Sequence, residues 1–137
     1  MQLVLDTNIV LDLFVFGDAQ VQPLSERLRA GELRWLATAP MREELARVLR
    51  YPKLAERVSR QRGSEDAVLA DFDRHAQLVE APPPAAVSCS DPDDQKFIDL
   101  AVAHRCTLLS KDREVLRLRK QLERLQVRAS VRLVQSR

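Results

Sequence analysis

The stretch Gln2-Leu3-Val4-Leu5-Asp6-Thr7-Asn8 joins a short apolar run to a polar triplet. Beyond it, apolar residues recur at helical spacing from Ile9 to Phe14. The pattern predicts a strand over residues 2–5 followed directly by a helix. Asp6 then lies at the carboxyl end of the strand, which is where open α/β sheets place their ligand crevices.

The rest of the chain alternates between helix and strand patterns. Thr38 and Ser64 are expected to cap helices, and the segment Asp91-Pro92-Asp93-Asp94 is a typical helix start. Helices are predicted over 21–30, 38–50, 54–60, 64–76, 91–101 and 113–125, and strands over 33–37, 107–109 and 127–134. This alternation favours an α/β fold in which helices cover both faces of a parallel sheet.

Length and composition favour one domain over residues 1–137. Pro82-Pro83-Pro84 is interpreted as a connection within that domain. No apolar stretch is long enough to cross a membrane and no cleavable signal is recognisable, so a cytoplasmic location is expected. Cys89 and Cys106 lack metal-ligand spacing and are expected to be reduced thiols, which argues against a zinc site.

Four carboxylates fall at predicted strand ends or helix starts: Asp6, Glu44, Asp94 and Asp112. Glu44 shares the apolar stripe of its helix, whereas Glu43 aligns with Arg47 and is expected to face water. If the fold brings the four together, they cannot all remain ionised without a cation between them. Carboxylate oxygens suit Mg²⁺ or Mn²⁺.

Each acid also has a purely structural interpretation. Asp6 and Asp112 are placed to cap the helices that follow them, and Asp94 to complement a helix dipole. The metal hypothesis therefore depends on all four converging.

The ordered motifs of the chain resemble those of the PIN-domain ribonucleases, and within them the VapC-like toxin components of toxin-antitoxin systems. The resemblance rests on four segments, which cover almost the whole chain in order: Leu3–Asn8, Glu43–Leu54, Asp91–Ile98 and Leu108–Leu116. It implies a three-layer α/β/α sandwich with a mainly parallel sheet of about five strands. It also implies Mg²⁺- or Mn²⁺-dependent endonucleolytic cleavage of single-stranded RNA.

Matched motif by motif, the resemblance makes Asp6, Glu44, Asp94 and Asp112 both the catalytic and the metal-binding residues. Asn8, Ser110 and Asp93 correspond to supporting polar positions, and whether Asp93 or Glu114 ligates metal stays open. The resemblance further implies an RNA partner, a cognate antitoxin protein and a possible homodimer, with no membrane association.

Basic residues cluster between Arg42 and Arg62 and between Arg113 and Arg128, although the net charge is only +2. Such runs are often merely solvated helix faces. Arg50, Lys53 and Arg113 are the candidates for binding RNA phosphates. Because aromatic residues are few, recognition is expected through the RNA backbone or shape more than through stacking.

Two other functions are compatible with parts of the sequence. A Mg²⁺-dependent phosphoacceptor regulatory domain would use Asp6 at its strand end, but it would leave Glu44 without a role. A noncatalytic RNA-binding PIN-like protein would not require the intact set of acids.

Overall fold

The segment that opens the chain forms the central strand of a five-stranded sheet. In the computed structural model, which describes residues 1–133, the strand order is β3-β2-β1-β4-β5 and every neighbouring pair is parallel. The strands are β1 (Gln2–Leu5), β2 (Arg34–Ala37), β3 (Ala76–Leu78), β4 (Thr107–Leu109) and β5 (Ala129–Ser130).

Helices fill the connections between the strands. They are α1 (Thr7–Leu11), α2 (Gln22–Arg29), α3 (Ala39–Leu49), α4 (Pro52–Arg62), α5 (Glu65–His75), α6 (Gln95–His104), α7 (Arg113–Leu116) and α8 (Arg119–Arg124). The chain runs from β1 outward to β3 and then returns past β1 to β4 and β5. Because parallel crossovers are right-handed, α1–α5 and α6–α8 cover opposite faces. The three-layer α/β/α prediction is confirmed.

The sheet is buried on both faces, as a parallel sheet between two helical layers must be. Leu3, Val4 and Leu108 are completely buried, and each such side chain contributes about 1.5–3 kcal/mol through the hydrophobic effect. Trp35 on β2 packs edge-on against Phe72, with the ring centroids 5.0 Å apart. The core thus holds β1 and β4 firmly beside each other.

The helix predicted over residues 64–76 ends at His75, and the next three residues form the unpredicted strand β3. Gln77 and Leu78 are exposed, so the segment lacks the apolar pattern of a buried strand. It is held instead by pairing with β2, in the register Trp35↔Ala76 and Ala37↔Leu78. Sequence periodicity cannot reveal an edge strand that depends on its neighbour in this way.

The C-terminal predictions are also revised. The helix predicted from 113 to 125 is divided into α7 and α8 by a tight turn, in which the Leu118 amide donates to the Val115 carbonyl at 3.0 Å. The strand predicted over 127–134 is reduced to β5, and beyond it the Ser130 hydroxyl donates to the Arg132 carbonyl at 2.7 Å. Residue 134 of that prediction lies outside the described residues.

The first helix changes form after Leu11. Residues Asp12–Phe16 make a π-helical turn that ends at Gly17, whose positive φ of 61° suits glycine. Asp12 in this turn is buried and pairs with Lys111 at 2.6 Å, which ties the turn to the segment after β4. No helix among residues 1–133 has the length and apolar character that a membrane span requires.

Candidate metal centre

The carboxyl ends of β1 and β4 form a crevice at the centre of the sheet. The two strands pair directly, in the register Leu5↔Leu109, but the chain leaves them toward opposite helical layers. Such a switch point is where open α/β sheets bind ligands. Asp6 follows β1 at this edge, and Ser110 and Asp112 follow β4.

A hydrogen-bonded chain connects these residues across the crevice. The buried Ser110 hydroxyl donates to an Asp6 carboxylate oxygen and accepts from the Asp112 amide at 3.0 Å. Asp6 also caps α1, by accepting from the Ile9 amide at 3.2 Å, and Asp112 caps α7, by accepting from the Glu114 amide at 2.8 Å. The capping and site interpretations are therefore compatible, since the same carboxyl groups take part in both arrangements.

A group of three acids lies beside this chain. One carboxylate oxygen from each of Asp91, Asp94 and Asp112 lies within 4.8 Å of the other two. Asp91 was predicted only as a helix cap, and it does accept a hydrogen bond from the Asp93 amide at 3.0 Å. Sequence reasoning missed its proximity to the other acids, because a capping aspartate gives the same sequence signal whether or not a second acid faces it.

The electrostatics of the group are those of crowded carboxylates. Burial, then the hydrogen bond and charge of Asp112, raises the pKa of Asp94 to about 8, and the charges of Asp91 and Asp6 act in the same direction. Burial also raises the pKa of Asp6, against the opposing hydrogen bond from Ser110. The side chains are therefore arranged at a free-energy cost that a bound cation would offset.

The donor atoms fit a hard divalent cation. The group offers only oxygen ligands, which suit Mg²⁺ or Mn²⁺ rather than zinc. Oδ2 of Asp94 is buried and accepts no hydrogen bond from any residue between 1 and 133. An orphaned carboxylate oxygen in a three-acid group is an available ligand atom.

Glu44 faces the same region from α3. It accepts a hydrogen bond from the Thr7 hydroxyl and pairs with Lys96, whose Nζ lies 2.5 Å from Oε1 of Glu44 and 2.6 Å from the Asp93 carbonyl oxygen. Glu43 is exposed, which confirms the predicted helical phase. Lys96 is a cation that the sequence analysis did not identify, because its contact with Glu44 spans 52 positions of the chain.

A cleft of about 250 Å³ extends from the acids along α3. Its walls include three predicted site residues, Asp6, Glu44 and Asp94, and two predicted supporting residues, Asn8 and Asp93. Asn8 and Asp93 are exposed. The structure therefore brings Asp6, Asp94 and the helix-borne Glu44 to one solvent-accessible region.

Comparison with known proteins agrees with this architecture. A model of the PIN domain family matches residues 2–114, a range that includes all the acids described above. The chain belongs to the PIN domain family. No curated protein sequence matches the chain significantly.

One solved structure similar to this PIN domain is described as VapBC2 from Rickettsia felis bound to a DNA fragment from their promoter. The two structures superpose with a TM-score of 0.64 over 94% of this chain and 98% of the other, at 14% sequence identity. At this identity the likeness is one of fold.

The other residues predicted to bind metal or RNA lie outside the three-acid group. Glu114 accepts from the Ser90 hydroxyl and lies 3.5 Å from Arg117, outside the three-acid group. Arg113 is exposed next to Asp112, and Lys53 is exposed near the start of α4. Arg50 pairs with Glu65 at 3.0 Å.

Proposed function

We propose that this PIN domain is a metal-dependent endoribonuclease that hydrolyses phosphodiester bonds of single-stranded RNA. The observation that carries the proposal is the convergence of acids at the carboxyl ends of β1 and β4. Asp94 and Asp112 come from different elements, yet their carboxylate oxygens meet within 4.8 Å beside Asp6. Arrangements of this kind suit a divalent cation and a phosphodiester.

Asp91, Asp94 and Asp112 would hold the cation, with Asp6 adjacent and Glu44 across the cleft. When bound, Mg²⁺ or Mn²⁺ supplies Lewis acidity, which acidifies water and offsets negative charge that develops on a phosphate. With a pKa of about 8, the Asp94 carboxyl would be largely protonated near neutral pH without a cation, and binding a cation would displace that proton. Cation affinity is therefore expected to rise with pH.

Three polar side chains hold the acids in position. The Ser110 hydroxyl donates to the Asp6 carboxylate and accepts from the Asp112 backbone amide, so one side chain anchors both segments. Lys96 and Thr7 fix the Glu44 carboxylate at the cleft wall. Held in this way, the carboxylates can orient a water molecule for in-line attack without rearranging, which would leave a 5′-phosphate and a 3′-hydroxyl.

RNA would approach along the exposed basic residues. Arg113 adjoins Asp112 in sequence, Arg50 follows the last residue of α3, and Lys53 lies in the first turn of α4. Contacts between such residues and phosphates do not depend on base sequence and weaken with salt.

We further infer that the protein is the toxin of a prokaryotic toxin-antitoxin pair. The support is the similarity of its fold to that of VapBC2 from Rickettsia felis, which was solved bound to a DNA fragment from its promoter. A cognate antitoxin protein is therefore the proposed partner, and a homodimer is a second possible assembly. The proposed substrate would place the enzyme in the cytoplasm.

The direct test is cleavage of end-labelled single-stranded RNA by the purified protein with Mg²⁺, Mn²⁺ or a chelator. We expect internal cuts with either metal, none in chelator, and products with 5′-phosphate ends. Asp94→Asn should abolish the cuts, whereas Glu43→Gln, a change at an exposed carboxylate, should not. Inactivity of the wild-type protein with both metals, or equal activity of Asp94→Asn, would refute the proposal.

A further inference from the structure

One face of α3 continues past the end of the helix along the wall of the acidic cleft. Glu44, Arg47, Val48 and Tyr51 all line this cleft. They are spaced by three, four and seven residues, as positions on one helical face are. Seven residues correspond to a rise of about 10 Å along a helix, so the face extends along the cleft away from Glu44.

Tyr51 presents an aromatic ring to solvent on a fixed backbone. The residue is 52% exposed, although tyrosine can bury a large apolar area. Its amide donates to the Val48 carbonyl at 3.0 Å, and its carbonyl accepts from the Leu54 and Ala55 amides at 2.9 and 2.7 Å. The ring is thus held at the cleft with little backbone freedom to lose on binding a ligand.

Arg47 differs from the other arginines near the two ends of the same helix. Arg42 forms a bidentate pair with Asp73, and Arg50 pairs with Glu65. Arg47 is exposed and makes no ion pair or side-chain hydrogen bond within the part of the chain that the structure describes. Its guanidinium is therefore available to an anion in the cleft.

We propose that Tyr51 stacks on a base of the single-stranded RNA and that Arg47 binds a neighbouring phosphate. This inference rests on the proposed function and adds a base-stacking contact to it. Every nucleobase has a π face, so a ring at this place would bind single strands with little sequence preference. The stacked base would therefore lie about 10 Å along the helical face from Glu44.

The inference also changes the expected mode of recognition. The small number of aromatic residues in the chain predicts recognition of RNA through its backbone or shape. A single exposed ring at the cleft is sufficient for one stacking contact, and paired RNA would not present an unstacked base to it. Tyr51 therefore gives a physical reason for preferring single strands.

The test is a binding experiment in chelator, in which cleavage is absent. Dissociation constants of a short fluorescent RNA would be measured for the wild type, Tyr51→Ala and Tyr51→Phe. We expect Tyr51→Ala to raise Kd by roughly 5- to 100-fold and Tyr51→Phe to remain near the wild type, because phenylalanine preserves the stacking face. Phe16→Ala, at an exposed ring outside the cleft that lies under Arg57, is the matched control.

A set of RNAs with one abasic nucleotide at successive positions identifies the stacked base. At one position, removal of the base should weaken binding to the wild type but not to Tyr51→Ala, since the same contact cannot be lost twice. Arg47→Ala should flatten the dependence of Kd on salt, whereas Arg60→Ala, at an exposed position on α4, should not.

The outcomes separate the inference from the proposed function. Unchanged binding by Tyr51→Ala, a loss in Tyr51→Phe as large as in Tyr51→Ala, or no coupling at any abasic position would overturn the stacking contact. If the wild-type protein still cleaved single-stranded RNA with metal, the proposed function would stand without it. A wild type that neither bound nor cleaved RNA would overturn both.

Discussion

Replacement of Asp94 by asparagine should stabilise the metal-free PIN domain and flatten the pH dependence of its stability. Burial and the Asp112 carboxyl raise the pKa of Asp94 from 3.8 to about 8 in the folded chain. The folded state therefore binds this proton more tightly than the unfolded state does, and stability falls as pH rises between these two values. Asparagine has nearly the same shape but does not ionise, so this loss is absent in the variant.

The size of the effect follows from the two pKa values. A carboxyl pKa raised from 3.8 to about 8 corresponds to about 6 kcal/mol against the charged form. The cleft beside Asp94 admits water, which screens the charge, so we expect a net gain of roughly 2 kcal/mol above pH 8. In a domain of this length, such a gain raises Tm by roughly 6–10 °C.

The assay is thermal unfolding in chelator at about pH 5 and about pH 9. The difference in Tm between Asp94→Asn and the wild type should be small at the lower pH and largest at the higher. Asp93→Asn, at the exposed neighbouring position, should follow the wild type at both. Added Mg²⁺ should raise the Tm of the wild type more than that of Asp94→Asn, because binding to the folded state stabilises it. A Tm difference that does not grow with pH would refute the reasoning.

Asp6→Asn should abolish metal-dependent RNA cleavage, measured on gels, and should raise the Tm of the metal-free protein, measured by thermal unfolding. Cleavage by this variant at the wild-type rate would contradict the prediction. Glu44→Gln should lower kcat strongly and Glu43→Gln should leave it near the wild-type value, because only Glu44 faces the cleft. Equal losses at both positions would exclude this assignment. Charge reversal at Arg50 and Lys53 together should weaken RNA binding and flatten its salt dependence, with a smaller effect on cleavage at saturating RNA. An unchanged salt slope would assign phosphate binding to other residues.

The fold was largely predictable because its decisive strands are apolar and short, and end in polar residues. Leu3, Val4 and Leu5 identify β1, and the residues around Leu108 identify β4. β3 was not predictable, since its exposed Gln77 and Leu78 carry no periodic signal and pairing with β2 alone defines the strand. Periodicity reports burial, so it finds the centre of a sheet more readily than its edge.

The site was predictable only in part, for a different reason. The helical phase placed Glu44 at the inner face correctly, because i, i+3 and i+4 geometry is local. Asp91 and Lys96 were missed as site residues because their partners, Asp112 and Glu44, are distant in the sequence. Local patterns show which face a side chain occupies, but they do not show which charge meets it across the sheet.

The place of β1 between β2 and β4 determines when the acidic cleft can exist during synthesis. Asp6 and Ser110, which share a hydrogen bond, are 104 positions apart in the chain. A nascent polypeptide that has emerged only as far as β3 contains Asp6 and Glu44, but it lacks Asp91, Asp94 and Asp112. Until β4 arrives, β1 also has an unpaired edge, which chaperones can recognise. The carboxylates therefore come together only late in translation, and a chain truncated before β4 lacks Asp112 and cannot form the three-acid group.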